Sequence, residues 1–413
     1  MISSGEARRL CLEADHRGAA ATLERKGLDI RSLRDFLRGG SYADEEILGH
    51  AKTVELTDGL GRRTEMDVYI PSERIAAPLG VILALHGVGS SGPHLEPQFR
   101  ALADACGAAL ICPTAPLSAE SQNNFDLAGI FGSRFNEKRW FYGSQDIPMQ
   151  ALRWACINLP VDSDHCAVIG VSMGGIATWN LALRRWGWFS MAASINGAPS
   201  MWEMFGPDGQ LQALLPNLLA LPMAVLHGSR DQQIPPRLDR DAVNRLRGMG
   251  HKNVTFDEIA QGEHRLESMA LEPGSTQFAA LVNSYRGSLR DPWPRTVEHR
   301  ATDSDSGRAL WVSIDDIATG HTARVRATVV NSHHIDIVTE NTSKMTLHLS
   351  DRLIRPGLTA LTVNSVTQEI MFTPRMEDAI ASYALSGGDV GLMGQMIVEL
   401  DVPTSTFIEV IHA

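Results

Sequence analysis

The residues best suited to do chemistry in this chain lie in a glycine-rich run around Ser172. The run Gly170–Gly175 follows a short apolar strand pattern and opens a helical pattern. This is the setting of a sharp turn that lifts a serine hydroxyl above the edge of a sheet. Residues two before and two after the serine must be small in such a turn, and both are glycine. The pattern predicts that Ser172 is a nucleophile in acyl chemistry and that the Met173 N–H helps to bind the oxyanion.

The serine needs partners, because a hydroxyl is a weak nucleophile at neutral pH without a base. In enzymes built on this turn, the acid and then the histidine follow the serine, each after a later strand. Asp231 follows the strand pattern Met223–Leu226, and His264 follows the next one, at 254–259. His264 is therefore predicted to take the Ser172 proton and to pass it to the leaving group. Asp231 is predicted to hold the imidazole in one tautomer.

Other residues remain open for both roles. Asp239 or Asp241 would replace Asp231 as the acid if Asp231 only stabilised the turn in which it lies. His251 is the rival base, but it precedes its strand rather than following it. That position puts His251 at the opposite edge of the sheet, so His264 is the preferred base.

The loop Leu85–Gly92 is predicted to supply the second oxyanion donor. It follows a buried strand pattern, and its glycines permit a close approach of the backbone. The Val88 N–H is the expected donor, with Gly89 as the alternative. His86 is interpreted as a residue that supports the loop rather than one that titrates in catalysis.

A long irregular stretch at 113–146 is rich in aromatic residues and suggests a wall of the substrate pocket. Loops at this edge of such a sheet often bind the substrate. Trp140 and Tyr142 are the candidates there, and Trp202 is a third candidate in a later loop. Ordinary loop packing is an equal alternative for all three. Further aromatic residues in these loops are Phe125, Phe131, Phe135, Phe141 and Phe205.

Short apolar strands alternate with helical patterns over residues 51–290, which predicts an α/β fold with a doubly wound, mostly parallel sheet. A hairpin around Asp58–Gly59 precedes it. The principal strand patterns are Val81–Leu85, Ala108–Cys112, Ala167–Gly170, Ala192–Ile195, Met223–Leu226 and Val254–Ile259. The helical patterns are Pro97–Ala105, Ile147–Ile157, Gly174–Arg185 and Leu238–Met249.

The segments on either side of residues 51–290 have different sequence patterns. Residues 1–50 are expected to form an N-terminal helical segment, with Gly27 between two helices and Gly39–Gly40 at the end of the second. After a proline-rich break at Asp291–Pro294, residues 295–413 are expected to form a small antiparallel β domain. Residues 51–290 would then be the catalytic domain. The C-terminal patterns are strands at Ala309–Ile314, Thr322–Val330, His334–Thr339, Lys344–Leu349 and Leu358–Val363, a helix at Arg375–Ala384, and a mobile loop around Gly387, Gly388, Gly391 and Gly394.

The composition is that of an ordinary globular protein. The 413 residues are 44% hydrophobic and 21% charged, enough to bury a sizeable core. Lys and Arg total 37 against 48 Asp and Glu, and the net charge of −11 argues against a nucleic-acid partner. The chain lacks an apolar stretch of signal-peptide or membrane-spanning length, so a cytoplasmic location without a membrane partner is expected.

Neither a metal nor a cofactor is expected. The five cysteines include no pair at CxxC spacing, so the pattern favours neither a disulfide framework nor a zinc site. Histidines in the C-terminal part lack carboxylate or cysteine neighbours at ligand spacing. They are interpreted as structural, and they are His321, His333, His334 and His348.

Taken together, several segments resemble the α/β-hydrolase superfamily, namely Leu85–Gly87, Gly170–Gly175, His227–Asp231 and Gly262–His264. Within it, the chain looks like dienelactone hydrolases, polyhydroxybutyrate-depolymerase-like esterases and prolyl-oligopeptidase-type catalytic domains. The run Asp162–His165 also resembles this branch, in which the last position is usually arginine. The resemblance covers residues 51–290 and implies a serine hydrolase. Stretches that resemble a β-rich extension of some bacterial esterase-like hydrolases, with no catalytic role implied, are Trp311–Ile314, Thr339–Asn341 and Leu347–Asp351.

The expected function is hydrolysis of a small-molecule carboxylic ester through an acyl-Ser172 intermediate. An acyltransferase with the same acyl-enzyme is an alternative, because the acceptor pocket decides between water and an alcohol or amine. A prolyl-oligopeptidase-like peptidase ranks lower, since the N-terminal segment is too short for a propeller. A binding protein on a hydrolase fold ranks lowest, since all the candidate catalytic positions are filled. A homo-oligomer, if one forms, is expected to use the C-terminal β domain.

Overall fold

The computed structural model describes residues 2–39, 48–72, 78–117 and 139–403. The largest sheet in this part of the chain has eight strands. They are β1 (Lys52–Thr57), β2 (Arg63–Tyr69), β3 (Leu79–Leu85), β4 (Ala108–Pro113), β5 (Val161–Val171), β6 (Met191–Ile195), β7 (Met223–Gly228) and β8 (Val254–Ile259). Their order is β1-β2-β4-β3-β5-β6-β7-β8, and the neighbours from β4 to β8 are parallel. This confirms the predicted doubly wound, mostly parallel sheet.

Helices cover both faces of this sheet, which is why strands such as β3 and β4 are buried along their whole length. Apolar side chains of α4 and α9 pack on one face, and those of α5, α6 and α8 pack on the other. The described α-helices are α1 (Ser4–Leu10), α2 (His16–Arg25), α3 (Ile30–Arg38), α4 (Gly92–Cys106), α5 (Ile147–Asn158), α6 (Met173–Arg185), α7 (Gly209–Leu214), α8 (Pro236–Gly248), α9 (Thr276–Gly287) and α10 (Met376–Leu385). Helix α9 is absent from the sequence-based prediction.

Residues 2–39, the described part of the N-terminal segment, contain three helices, whereas two were predicted over residues 1–50. The first predicted helix is divided because the Asp15 side chain accepts a hydrogen bond from the Gly18 N–H and starts α2 as an N-cap. Gly39 ends α3, as predicted, and Gly40 lies outside the described residues. Apolar side chains of α1, α2 and α3 form one core cluster with α10 near the other end of the chain.

Residues 295–403, the described C-terminal part, contain two sheets in addition to α10. One has the order β10-β11-β14-β17, and the other has the order β16-β15-β13-β12-β9. Their strands are β9 (Thr296–Ala301), β10 (Arg308–Ala309), β11 (Val312–Ile314), β12 (Ala323–Asn331), β13 (His334–Glu340), β14 (Lys344–Leu349), β15 (Gly357–Val363), β16 (Val366–Phe372) and β17 (Met396–Asp401).

Two details of this region differ from the sequence-based expectation. The pair β13 and β15 is parallel, because the intervening β14 belongs to the other sheet and the chain returns in the same direction. The single strand expected over Ala309–Ile314 is a short hairpin of β10 and β11, and Leu310 in its turn has a φ of +54°. Strands β9, β16 and β17 are absent from the prediction.

The segment around Gly387–Gly394 is packed rather than the mobile loop expected from its glycines. Leu392 and Met393 are each 1% exposed. The Asp389 carboxylate accepts a hydrogen bond from the Gly391 N–H at 2.9 Å. A Cβ at Gly391 would lie 2.1 Å from Asp164 Oδ1, so this glycine serves a close approach.

Two glycines position Ser172 by allowing α6 to begin immediately after β5. A Cβ at Gly170 would lie 2.1 Å from the Gly174 carbonyl oxygen. A Cβ at Gly174 would lie 2.0 Å from the Leu85 carbonyl oxygen at the end of β3. Any side chain at either position would therefore push the helix away from the sheet edge.

We expect Gly174→Ala to lower the free energy of unfolding by about 2 kcal/mol or more, because the added methyl group meets backbone atoms that cannot turn aside. Urea unfolding measures this effect. The matched control is Gly209→Ala in α7, where nothing lies within 4 Å of the added Cβ. Equal stability of the Gly174→Ala protein and the wild type would contradict the steric requirement.

His299 of β9 bonds to Trp186, which directly follows α6, and it should make stability depend on pH. It is fully buried, it accepts a hydrogen bond from Trp186 Nε1, and it donates one to the Ser306 carbonyl oxygen. Burial lowers the pKa of His299 from 6.5 to about 4. The unfolded ring gains a proton below its ordinary pKa while the native ring stays neutral, so stability falls as the pH drops towards 4.

In His299→Gln we expect a shallower decrease of the free energy of unfolding between pH 6.5 and pH 4.5, since that proton uptake is removed. Denaturant unfolding at several pH values gives the slope. His333→Gln, at an exposed position, is the control and should retain the wild-type slope. An unchanged slope in His299→Gln would show that His299 does not cause the acid sensitivity.

Candidate active site

The structure brings Ser172, His264 and Asp231 into one hydrogen-bonded chain. His264 Nε2 lies 2.7 Å from Ser172 Oγ, and His264 Nδ1 lies 2.6 Å from Asp231 Oδ2. Ser172 follows β5, Asp231 lies just after β7, and His264 lies beyond β8. These strands are parallel, so their carboxyl ends meet at one edge of the sheet. An ionised carboxylate only accepts hydrogen bonds, so Nδ1 carries the ring proton and Nε2 is free to receive the serine proton.

The rival candidates lie elsewhere. His251 is buried before β8, and its Nε2 hydrogen bonds to the Leu221 carbonyl oxygen. Asp241 is exposed on α8. Asp239 is buried, but it bonds to His227 and Trp179 rather than to His264. The geometry therefore supports the preferred candidates for acid and base.

Asp231 is held on both oxygens. Its Oδ1 accepts hydrogen bonds from the backbone N–H groups of Gln233 at 2.8 Å and Ile234 at 2.9 Å. Burial alone would raise the pKa of Asp231, but the hydrogen bonds from His227, His264 and Ile234 outweigh it and hold the pKa well below its ordinary value. The carboxylate is therefore a fixed negative charge beside the imidazole.

A second layer of residues lies behind Asp231 and was not predicted from the sequence, although His227 belongs to the segment His227–Asp231. The His227 ring is fully buried, with Nδ1 2.8 Å from Asp239 Oδ2 and Nε2 3.2 Å from Asp231 Oδ2. Burial by itself would lower the pKa of His227, but its hydrogen bonds to Asp231 and Asp239 raise it to about 9. The contacts join β7 to the turn after it and to α8, so no spacing in the sequence predicted them.

The predicted oxyanion donors flank Ser172. Ser172 has a φ of +56°, the strained conformation of a sharp turn at a nucleophile. Met173 is the first residue of α6, so its N–H has no intrahelical acceptor. A Cβ at Gly87 would lie 3.2 Å from Ser172 Cβ, which places the loop carrying Val88 directly beside the serine.

His86 supports this loop from below, as the sequence analysis expected. It is fully buried, and its Nε2 accepts a hydrogen bond from the Ala115 N–H at 2.9 Å. Its Nδ1 donates to the Gly87 carbonyl oxygen at 2.7 Å. Trp140 Nε1 donates to the His86 carbonyl oxygen at 2.9 Å, and the two rings lie 4.9 Å apart. These contacts fix the path of the loop between β3 and α4.

The three aromatic candidates for the substrate pocket occupy different environments. Trp140 is 5% exposed and lies beneath the loop that contains His86. Tyr142 is half-buried and packs against the core. Trp202 is 48% exposed in the loop after β6. Phe125, Phe131 and Phe135 lie outside the described residues.

Within the described ranges, no group of three His, Cys, Asp or Glu side chains is arranged to hold a metal ion. In that same part of the chain, no helix has the length and apolar character needed to cross a membrane.

Comparison with known proteins assigns the family. The model of the phospholipase/carboxylesterase family matches residues 70–278, about half of the chain. No curated protein matches the chain. Among solved structures, the S-formylglutathione hydrolase of Staphylococcus aureus is 14% identical, covers 57% of this chain and 96% of its own, and has a TM-score of 0.42.

Two further structures are similar at comparable levels. The S-formylglutathione hydrolase of Agrobacterium tumefaciens is 14% identical over 57% of this chain and 92% of its own, with a TM-score of 0.40. The acyl-protein thioesterase 2 of Zea mays is 18% identical over 52% and 98%, with a TM-score of 0.35. The family match confirms the expected α/β-hydrolase fold and the expected carboxylic-ester hydrolase. The chain belongs to the phospholipase/carboxylesterase family.

Proposed function

We propose that the protein hydrolyses a carboxylic ester through an acyl-Ser172 intermediate, with His264 as the base and Asp231 as the acid. The observation that carries this proposal is the continuous chain of hydrogen bonds from Ser172 Oγ through His264 to Asp231, at 2.7 and 2.6 Å. The half-buried position of Ser172 leaves its hydroxyl accessible to a substrate.

In the first half of the reaction, His264 Nε2 takes the hydroxyl proton as Ser172 Oγ attacks the ester carbonyl. The carbonyl oxygen becomes an oxyanion that receives hydrogen bonds from the N–H groups of Met173 and Val88. The C–O bond to the leaving group then breaks, and His264 gives its proton to the departing alkoxide. An alcohol leaves, and the acyl group remains on Ser172.

In the second half, His264 takes a proton from water as the water oxygen attacks the acyl carbon. The tetrahedral intermediate collapses, the bond to Ser172 Oγ breaks, and the proton returns to the serine. Asp231 remains ionised throughout because four N–H groups hold its carboxylate. Its negative charge stabilises the imidazolium that forms in both halves.

Exposed apolar side chains surround this edge of the sheet and favour an apolar acyl group. Val88, Leu117, Trp202 and Phe205 are 48–69% exposed on the loops after β3, β4 and β6. Such a rim excludes water from the acyl part of a substrate when it binds. We assign Trp202 to direct contact with the substrate, and Trp140 and Tyr142 to support from beneath.

We expect Ser172→Ala to lower ester turnover by at least about ten-thousand-fold without unfolding the chain, because it removes the nucleophile. Asp231→Asn should cost less, since it disturbs the orientation of the base rather than deleting the attacking atom. Hydrolysis of p-nitrophenyl esters measures turnover, and a fluorophosphonate probe located by mass spectrometry identifies the reactive serine.

The matched control for the acid is Asp241→Asn, an exposed position on α8, which should retain wild-type turnover. Ester hydrolysis by Ser172→Ala at the wild-type rate, or a wild-type protein that does not react with the probe, would refute the proposed function. Full activity of Asp231→Asn would refute only the assignment of the acid.

Trp202→Ala should lower kcat/KM for octanoyl esters by about tenfold and leave acetyl esters within about twofold, since only the longer chain reaches the apolar rim. A series of p-nitrophenyl esters of increasing acyl length measures the effect. Leu289→Ala changes another exposed apolar residue, 67% exposed, beyond α9, and should have no effect on either ester. An equal loss for all acyl lengths would contradict the proposed contact.

A further inference from the structure

We propose that His227 is a positioning residue for Asp231, and that its Nε2–H, oriented by Asp239, donates to the carboxylate oxygen that also accepts the His264 Nδ1–H. The inference rests on the proposed function, in which Asp231 orients the base. It adds a role for His227 and Asp239, two buried residues that do not contact the substrate.

Hydrogen-bond contacts connect Asp231 through His227 and Asp239 to Trp179. His227 Nε2 lies 2.9 Å from the Ile234 carbonyl oxygen and 3.2 Å from Asp231 Oδ2. His227 Nδ1 lies 2.8 Å from Asp239 Oδ2, and Asp239 Oδ1 accepts a hydrogen bond from Trp179 Nε1 at 2.8 Å. Trp179 belongs to α6, the helix that begins just after Ser172. The nucleophile and its acid are therefore joined by a second route, through α6, α8 and β7.

The acceptors around His227 determine where its protons lie. The Ile234 carbonyl oxygen only accepts, so Nε2 must carry hydrogen and can donate to Asp231 as well. The short contact between His227 Nδ1 and Asp239 needs one proton between the two atoms. The pair is either an imidazolium with a carboxylate or a neutral imidazole with a carboxylic acid, and in both forms it has no net charge.

The balance of charge explains why this arrangement suits catalysis. The charged or titratable groups that face His227 are Asp231 and Asp239, with His264 beyond Asp231. Because Asp239 neutralises His227, the single negative charge of Asp231 remains available to the imidazolium of His264. The extra N–H fixes the rotation of the carboxylate and limits its basicity.

The test compares two substitutions of His227 by amide side chains of different length. The His227→Gln amide extends to about the position of Nε2 and can still donate to Asp231, whereas the His227→Asn amide ends near Nδ1 and cannot. For His227→Asn we expect kcat to fall by about tenfold or more, the typical effect of losing a hydrogen bond to a charged group. KM should change by less than about twofold, since the His227 ring is fully buried.

Two readouts distinguish positioning from a merely structural role. Without the Nε2–H donor, Asp231 becomes a stronger acceptor for His264, so the acid limb of the kcat/KM profile should move to higher pH. The same change should move the low-field proton NMR signal of the His264 Nδ1–H further downfield, a measurement that does not need turnover. His227→Gln should restore both readouts and most of kcat.

The control is His251→Asn, which removes another buried histidine that bonds only to backbone atoms in the described structure. It should leave the pH profile and the NMR signal unchanged. A folded His227→Asn protein with the wild-type profile and signal would overturn the inference, as would a His227→Gln protein with the same defects as His227→Asn. Failure of the proposed function would instead appear as ester turnover by Ser172→Ala.

Discussion

The close approach of α6 to the ends of β3 and β5 is the constraint on which the site depends. With no side chain at Gly170 or Gly174, backbone meets backbone at the turn, and a Cβ at Gly174 would lie 2.0 Å from the Leu85 carbonyl oxygen. That approach sets Ser172 beside the loop after β3 and directs the first N–H groups of α6 towards the same space. One packing contact thus positions both the proposed nucleophile and the proposed oxyanion donors.

Strand β5 connects this site to the rest of the molecule. Ser172 follows its carboxyl end, while Asp164 near its other end bonds to Arg38 of α3 and, at 2.7 Å, to Arg290. Arg290 also bonds to Asp389 at 2.7 Å. Loss of one partner from a buried ion pair destabilises the protein, because the other charge is left buried without compensation. The N-terminal helices and the C-terminal segment are therefore attached near the end of β5 opposite to Ser172.

Much of the fold and of the site was predictable because the relevant signals are local. The strand pattern at 192–195 lies within β6, since parallel strands covered on both faces are continuous apolar or β-branched runs. Strand β9 was not predicted because a histidine, His299, occupies one of its buried positions and interrupts the alternation of apolar residues. Strand β16 was not predicted because it is an edge strand in which only Phe372 is buried. The glycines at 387–394 predicted a mobile loop, whereas the segment is packed. Glycine is favoured both where a loop is flexible and where another segment approaches the backbone closely, so the sequence does not distinguish the two cases.

The sequence alone was sufficient to predict Ser172 as the nucleophile and the chain order of its partners, because a tight turn and a strand-to-loop boundary are determined by near neighbours. It favoured Asp231 as the acid but left Asp239 and Asp241 open, and it did not distinguish an aromatic residue of the pocket from one that only packs. The fold brings His264 to Asp231 and His227 to Asp239, which favours Asp231 as the acid, and it buries Trp140 while exposing Trp202. These outcomes depend on contacts between segments far apart in the chain, whose distances and burial exist only after the sheet has formed.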